Sequence, residues 1–455
     1  MGQDLTKGPI TKNMLLFAGP MILGNLLQQL YNIADTLIVS WFLGPEALGA
    51  VGSAYTLMVF LTSVFIGLCM GSGTLFSMDF GRGQEEKLRN SIFVSFVLIG
   101  GVTVVINILV FALLHPILWL LQVPQPVYPF MEEYVRVIFL GLFFVFLYNF
   151  FAFLLRAVGN SVTPLYFLMV SAALNILLDL LFVVVFSRGV AGAALATVIS
   201  QAVAGIGLGI YCFLAFPKLR PLRKDMAFPS RVLRQILAYS LSTSLQQSVM
   251  NFGILAVQSL INSFGPVVMA AYAAAVKIDS FAYMPLQEFS NAFSTYTAQN
   301  YGAGKGERIR RGIRSAALVT LIFSLLISLL IFLFAPYLMG VFVDGKEKEI
   351  IEAGVLYLRI EGAFYLGIGC LFLLYGLYRA VGRPMMSVVL TVISLGLRVA
   401  LAYSFSAVEG IGEAGIWWAI PIGWVLADMT GILYFRRKKE EILSFHHPQR
   451  RGRTG

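Results

Sequence analysis

The sequence predicts an all-α membrane protein with 12 transmembrane helices, arranged as two parallel six-helix repeats around a central cleft. Three observations predict this fold: a composition that is 58% hydrophobic and only 12% charged, long apolar runs between short polar breaks, and an internal repeat. Soluble globular domains carry about 25% charged residues, so the composition excludes a soluble enzyme and a disordered chain. At about 20 apolar residues per span, the 455 residues accommodate 12 or more helices.

Polar breaks separate the apolar runs. The spans are expected at about 14–40, 50–78, 91–115, 133–155, 163–187, 189–216, 236–264, 267–298, 315–337, 354–378, 384–407 and 413–435. Transmembrane strands are excluded, because barrel strands are short and alternate apolar with polar residues. Helices remain, since every backbone amide in lipid must be satisfied within the protein.

The same breaks divide the chain into four expected parts. These are an N-terminal six-helix lobe at 1–216, a cytoplasmic connector at 217–235, a C-terminal six-helix lobe at 236–435 and a basic cytoplasmic tail at 436–455.

The two lobes resemble each other in sequence. The matching segments are FGRG at 80–83 with YGAG at 301–304, RAVG at 156–159 with RAVG at 379–382, GVAG at 189–192 with GEAG at 412–415, and LQQ at 27–29 with LQQ at 245–247. Their offsets, 218 to 223, are nearly constant and in the same order, so we infer a duplication. Each half has an even number of spans, so the repeats are parallel, with a substrate site expected between them.

Basic residues predict the orientation. Most of the 33 Lys and Arg lie at the N-terminus, in the loops after the even-numbered spans and in the tail, which predicts that both termini are cytoplasmic. This distribution accounts for the net charge of +10 without a nucleic-acid partner. We expect a monomeric, multi-pass protein of a bacterial plasma (inner) membrane, whose basic face contacts anionic membrane lipid.

Ionisable residues inside spans are costly and mark candidate functional sites. In the N-terminal half these are Asp35 in the first span and Asp179 in the fifth, with Asn175 one turn before Asp179. A pair of carboxyl groups with a neighbouring amide can bind a proton or a sodium ion, which prefers oxygen ligands. The alternative is a structural role satisfied by hydroxyl groups and water.

The C-terminal half has no matching pair, because Asn175 aligns with Arg398 and Asp179 with Ala402. Its charges form a candidate C-lobe network, either a lock on one conformation or structural pairing. The network residues are Lys277, Asp279, Glu288 and Arg398, and the tenth span adds Glu361.

Several amide, tyrosine and methionine side chains in the spans are candidates for a substrate cavity. They are Gln28, Tyr31, Asn32, Asn149, Gln247, Met250 and Asn251. The aromatic run at 143–153 is expected to face mainly lipid, and Asp79 and Asp428, near span ends, are expected to be solvated.

Signatures of chemistry are missing from the sequence. There is no phosphate-binding loop, no HExxH and no paired Asp-rich motif, so we expect neither an enzyme nor an ATP-driven pump. We expect no cofactor and no metal site beyond a coupling ion.

Several motifs resemble the multidrug and toxic compound extrusion (MATE) family. They are residues 24–36 with LGP at 43–45, RAVGN at 156–160 with Pro164, the segment 175–179, and QNYGAG at 299–304. The resemblance covers nearly the whole chain. It implies an antiporter, coupled to protons or sodium, that exports organic cations by alternating access. It also implies a cation site formed by Asp35, Asn175 and Asp179.

Some family members place a sodium site in the C-terminal lobe on a seventh-span Glu and a tenth-span Asp. The seventh span here has no acidic residue, which favours coupling in the N-terminal lobe. The leading hypothesis is therefore a multidrug exporter for lipophilic cations, and the alternative is a lipid-linked oligosaccharide flippase of related fold. A flippase needs a cationic cavity, for which only Lys277 and Arg398 lie within spans.

Overall fold

The computed structural model describes residues 3–120, 123–408 and 410–443, and within them the chain is helical with no strands. The last twelve residues of the expected basic tail, 444–455, lie outside the described residues. The helices are α1 (Ile10–Leu43), α2 (Pro45–Gly81), α3 (Glu85–Ala112), α4 (Leu114–Leu120), α5 (Tyr128–Ile138), α6 (Leu142–Ala157), α7 (Val162–Asp179), α8 (Gly189–Ala215), α9 (Ser230–Asn262), α10 (Pro266–Gly302), α11 (Gly306–Phe342), α12 (Lys348–Ala363), α13 (Tyr365–Ala380), α14 (Pro384–Ser406) and α15 (Ala414–Leu443).

Each expected span corresponds to a helix or to consecutive helical segments. A 3₁₀ turn at Phe139–Gly141 joins α5 and α6, and a π-helical segment at Leu180–Val185 extends α7. In the described residues ten such units are long and apolar enough to cross a membrane, and α12 with α13, bent by 53°, make an eleventh. The all-α membrane fold is confirmed.

The remaining expected span, the seventh, is α9, which is long enough to cross a membrane but is not among the units of the described chain that are also apolar enough. The reason is its stripe of neutral polar residues, including Ser244, Gln247 and Asn251. The helix also begins earlier than expected, at Ser230, within the segment assigned to the connector.

The helices pack as two compact units. Unit 1 comprises Met1–Asp4, Leu15–Phe80 and Gln84–Asn251, and unit 2 comprises Leu5–Met14, Gly81–Gly83 and Phe252–Gly455. These packing units differ from the expected lobes, because most of α9 packs in unit 1, whereas Leu5–Met14 and Gly81–Gly83 pack in unit 2. The lobe boundaries derived from the repeat remain a prediction.

The core of unit 1 contains the aromatic run of α6. Phe146 and Phe150 are almost fully buried, and their rings pack 5.7 Å apart, centroid to centroid. Phe96 of α3 packs edge-on against Phe150 at 5.3 Å. The expectation that this run mainly faces lipid is therefore wrong, because aromatic pairing within the unit buries these rings.

Asp79 and Asp428 are also more buried than the sequence suggested, with exposures of 2% and 8%. Asp79 is compensated by Lys87 at 3.0 Å and by a hydrogen bond from the Ser91 hydroxyl at 3.1 Å. The expectation of solvated carboxylates at these span ends is wrong, because neighbouring helices cover them.

Left-handed glycines end equivalent helices in both halves. Gly83 and Gly304 have φ of 69° and 70°, and Gly159 and Gly382 have φ of 85° and 83°. Side chains rarely adopt this conformation, so glycine is required at such turns. The duplication thus extends from sequence motifs to backbone geometry.

Candidate functional site

The candidate cation site in unit 1 is formed where α1 and α7 bring their acidic residues together. Asp35 is half-buried on α1, and Asp179 is fully buried at the last residue of α7. The π-helical segment at Leu180–Val185 begins directly after Asp179. Such segments are frequent at functional sites, because they interrupt the regular ladder and reorient side chains.

Hydrogen bonds to α8 fix the face of α7 that carries this site. The Ser171 hydroxyl donates to the carbonyl oxygen of Ser200 at 3.0 Å, and the Asn175 amide donates to Thr197 Oγ1 at 3.3 Å. Because Ser171, Asn175 and Asp179 follow each other at one-turn spacing, these bonds orient all three toward the same side.

The carboxyl groups of Asp35 and Asp179 lie within hydrogen-bonding reach of each other. Both oxygens of Asp179 and the Oδ1 of Asp35 are buried and receive no hydrogen bond from any described residue. Two ionised carboxylates repel each other at this range, and neither can donate. The contact is therefore favourable only with a proton or another cation between the two groups.

Aromatic hydroxyl groups surround this pair. Tyr31 lies one turn before Asp35 on α1, hydrogen-bonds the side chain of Gln201, and interacts electrostatically with both carboxyl groups. Tyr134 of α5, 7% exposed, also interacts with both carboxyl groups.

Sequence reasoning named Tyr31 as a cavity residue but missed Thr197, Gln201 and Tyr134. The spacing of Thr197, Ser200 and Gln201 on one face of α8 was a usable signal, whereas no spacing pattern singled out Tyr134.

The remaining cavity candidates are partly accessible. Gln28 is exposed, whereas Asn32, Asn149, Gln247, Met250 and Asn251 are half-buried, and the Asn149 amide donates to the Val145 carbonyl of its own helix at 2.8 Å. Their contact with a substrate remains a prediction.

The C-lobe candidates separate in unit 2. Asp279 is buried and interacts with Glu361 and Arg398. Lys277 is exposed, and the Glu288 carboxylate faces the Asn291 amide at 3.4 Å. Asp279 and Arg398 therefore belong to one cluster, while Lys277 and Glu288 lie elsewhere.

Comparisons with known proteins find similar sequences and structures over nearly the whole chain. The model of the MatE family matches residues 20–181 and again 243–404, which confirms the internal repeat at an offset of 223. A probable multidrug resistance protein, YpnP of Bacillus subtilis (strain 168), is 31% identical over 435 residues, covering 95% of this chain and 96% of the relative. The probable multidrug resistance protein NorM of Thermotoga maritima is 25% identical, covering 95% and 93%.

Solved structures agree. The outward-facing conformation of a multidrug resistance MATE family transporter of the MOP superfamily superposes with a TM-score of 0.90 at 25% identity, covering 97% of this chain and 98% of that one. The chain is thus a multi-pass membrane protein with homologues among multidrug transporters. The two matches to the family model, the relatives and the shared fold lead to one conclusion: this protein is a member of the MatE family, the multidrug and toxic compound extrusion transporters.

Proposed function

We propose that the protein exports lipophilic organic cations across a bacterial plasma membrane in exchange for protons or sodium ions, by alternating access. The observation that carries the proposal is the contact between Asp35 and Asp179 without a donor from the described residues. The names of the multidrug relatives support the substrate class.

The carboxyl pair offers a physical route to coupling. With a proton or sodium ion bound, the two groups attract each other and hold α1 against α7. Without it, two negative charges repel within a poorly hydrated site, which favours separation of the helices and attracts a cationic substrate. A ligand shifts a conformational equilibrium only through its differential affinity for the two states, and this pair provides that difference for both ions.

Asn175 and the tyrosines complete the proposed site. The Asn175 Oδ1 is buried and unpaired among the described residues, so it is available as a neutral oxygen ligand. Tyr31 and Tyr134 provide hydroxyl groups that can donate to the carboxylates once the coupling ion has left.

The flippase alternative gains no support from the fold or the relatives. Of its two candidate cationic residues, Arg398 is near Asp279 and Glu361, and Lys277 is exposed. A cationic cavity for a diphosphate headgroup would need unpaired positive charge, so we retain the exporter.

Proteoliposomes test the proposal. Uptake of a fluorescent lipophilic cation is followed under a pH gradient and, separately, under a sodium gradient, with Asp35→Asn as the variant and Asp344→Asn at an exposed loop position as the matched control. At least one gradient should drive transport, and Asp35→Asn should reduce its rate by about tenfold or more, the usual size of such couplings.

Two outcomes would contradict the proposal. Transport driven by neither gradient would remove ion coupling altogether. Full gradient-driven transport in Asp35→Asn, with Asp344→Asn unchanged, would remove Asp35 from the coupling site.

A further inference from the structure

A second cluster of polar groups, contributed by four helices, lies in unit 2. Asp279 and Glu361 have exposures of 4% and 2%, and they come from α10 and α12. Tyr357 of α12, Tyr365 of α13 and Arg398 of α14 interact with both carboxyl groups. These five residues are called the C-terminal cluster below.

Hydrogen bonds in this cluster are distributed unequally between the two acids. The Tyr365 hydroxyl donates to Asp279 Oδ1 at 2.7 Å, and the Tyr357 hydroxyl lies 3.5 Å from Asp279 Oδ2. Both oxygens of Asp279 therefore face donors. Glu361 lies within hydrogen-bonding reach of Asp279 and of the Tyr357 hydroxyl, but its Oε1 is buried and receives no hydrogen bond from the described residues.

Charge balance indicates what joins the two acids. With both carboxyl groups ionised, the cluster carries two negative charges against one positive charge on Arg398. Adding one proton makes it neutral. A buried site with net charge is costly to maintain, so the protonated form is the one that this environment stabilises.

Neutral aromatic groups also surround the two acids. Tyr272 and Tyr283 of α10 both interact with Asp279 and Glu361. Trp417 of α15, fully buried, stacks on Tyr272 at 5.7 Å and meets Tyr357 edge-on at 5.0 Å, which places aromatic rings on this side of the cluster.

The repeat relates this cluster to the candidate site in unit 1. Tyr357 is the counterpart of Tyr134, and Arg398 is the counterpart of Asn175, both at the offset of 223 that separates the two family matches. The acids do not follow the repeat, since Asp279 and Glu361 come from α10 and α12 rather than from the counterparts of α1 and α7. The duplicated position has thus acquired a different carboxyl pair.

We propose that unit 2 contains a second proton-binding site, in which Asp279 and Glu361 share one proton and Arg398 is the fixed counter-ion. The proton resides on Glu361, which donates it in a hydrogen bond to the carboxylate of Asp279. Tyr365 donates to that same carboxylate and keeps it ionised, and the Tyr357 hydroxyl lies within reach of both acids. This site is independent of the Asp35–Asp179 pair, and its proton binding can be measured without transport.

Infrared difference spectroscopy on the purified full-length protein tests the site. The band of protonated carboxyl groups is recorded during a pH titration for the wild type, Glu361→Gln, Asp279→Asn and Glu352→Gln. Glu352 is exposed on the same helix and is the matched control. At neutral pH, Glu361→Gln and Asp279→Asn should each lose one protonated-carboxyl component, and Glu352→Gln should lose none.

Tyr365→Phe adds a readout that a merely structural role would not change. Loss of its hydrogen bond lets the proton move toward Asp279, so the position of the band should shift while its area is kept. Wild-type spectra in both Glu361→Gln and Asp279→Asn would overturn the proposal.

A fallback covers variants that do not fold. If neither Glu361→Gln nor Asp279→Asn is recovered as a monodisperse protein, the triple variant Asp35→Asn/Asp179→Asn/Asp428→Asn decides. A remaining protonated-carboxyl band at neutral pH supports the shared proton, and its absence overturns it. Failure of gradient-driven transport alone would affect only the coupling proposed for unit 1.

Discussion

Individual acidic residues in this protein differ mainly in the donors that face them. Asp225, in the segment between α8 and α9, is 2% exposed, and its Oδ2 accepts hydrogen bonds from Arg89 Nε at 2.7 Å and from the Leu222 amide at 2.9 Å. Asp179, equally buried, faces another acid instead. A carboxylate with donors holds structure together, whereas a carboxylate facing an acid needs an ion.

The Asp225 contact predicts a pH-dependent contribution to stability. Burial raises the pKa of Asp225, but Arg89 and the Leu222 amide lower it by more, to below its usual 3.8. A lowered pKa in the folded state gives stability that is present above about pH 4 and is lost as the pH falls through the lowered value. Asp225→Asn should cost about 3–5 kcal/mol at neutral pH, because it leaves Arg89 without its partner.

Thermal unfolding in detergent measures this cost, with Glu86→Gln as the control. The Glu86–Lys224 pair is solvent-exposed, so its loss should cost at most about 1 kcal/mol. Equal melting temperatures for Asp225→Asn and the wild type at neutral pH would contradict the assigned role, as would a difference that persists undiminished in acid.

Residue patterns predicted part of the candidate site. The one-turn spacing of Asn175 and Asp179, and Asp35 as the one charged residue of the expected first span, were visible in the sequence. The contact between Asp279 and Glu361 could not be predicted from the sequence, because it depends on which faces of α10 and α12 meet. Spacing along one helix is local information, and the pairing of distant helices is not.

Helix packing in unit 1 explains why α9 departs from the expected lobe. Gly67 and Gly71 of α2 form a GxxxG spacing that faces α9, where a Cβ on Gly67 would lie 2.4 Å from Ser244 Cα. The hydroxyl groups of Ser72 and Ser240 are 2.9 Å apart across the same seam. Small residues allow helix backbones to approach closely in membranes, and polar side chains then bond across the contact.

This seam makes Gly71 sensitive to the smallest substitution. A Cβ at Gly71 would lie 2.5 Å from the Tyr239 carbonyl oxygen, so Gly71→Ala must separate α2 from α9. We expect a loss of about 1–3 kcal/mol in stability, typical of overpacking, and a lower melting temperature in detergent.

Gly52→Ala, on the same helix, is the matched control, since a Cβ there meets nothing within 4 Å. It should leave stability unchanged or slightly raised, because alanine favours the helix over glycine. A Gly71→Ala protein as stable as Gly52→Ala would contradict the close contact.

At the scale of elements, the apolar runs predicted the helices well, since twelve runs match helical segments. The polar stripe of α9 weakens its signal as a membrane span, and one of its members, Ser244, bonds to α2 together with the neighbouring Ser240. The GxxxG spacing was present in the sequence but does not by itself name the helix that packs on it.

The whole molecule is organised by the duplication and by the distribution of basic residues. The family match at residues 20–181 and 243–404 confirms the repeat that short motifs indicated. Composition could predict the membrane class because lipid restricts the available folds so strongly. The two packing units could not be predicted. The repeated motifs show that the halves arose by duplication, but they do not show which helices α9 contacts.

Orientation is testable by cysteine labelling of intact cells. Cys69, Cys212 and Cys370 are replaced by alanine, and single cysteines are introduced at the exposed positions Lys346 and Lys224. With both termini cytoplasmic, a membrane-impermeant maleimide should label Lys346→Cys directly and Lys224→Cys only after permeabilisation. The reverse pattern would overturn the predicted topology.

The repeat places Asn175 in one half at the position that Arg398 occupies in the other. This difference affects how the protein responds to the ions around it. An amide has no charge of its own, so in the coupling proposed above the acids of unit 1 take their positive charge from solution, and their occupancy depends on which ions are present. The guanidinium of Arg398 is covalently attached and cannot dissociate or be outcompeted. The ionic composition of the surroundings should therefore tune one half of the molecule and leave the counter-charge of the other half constant.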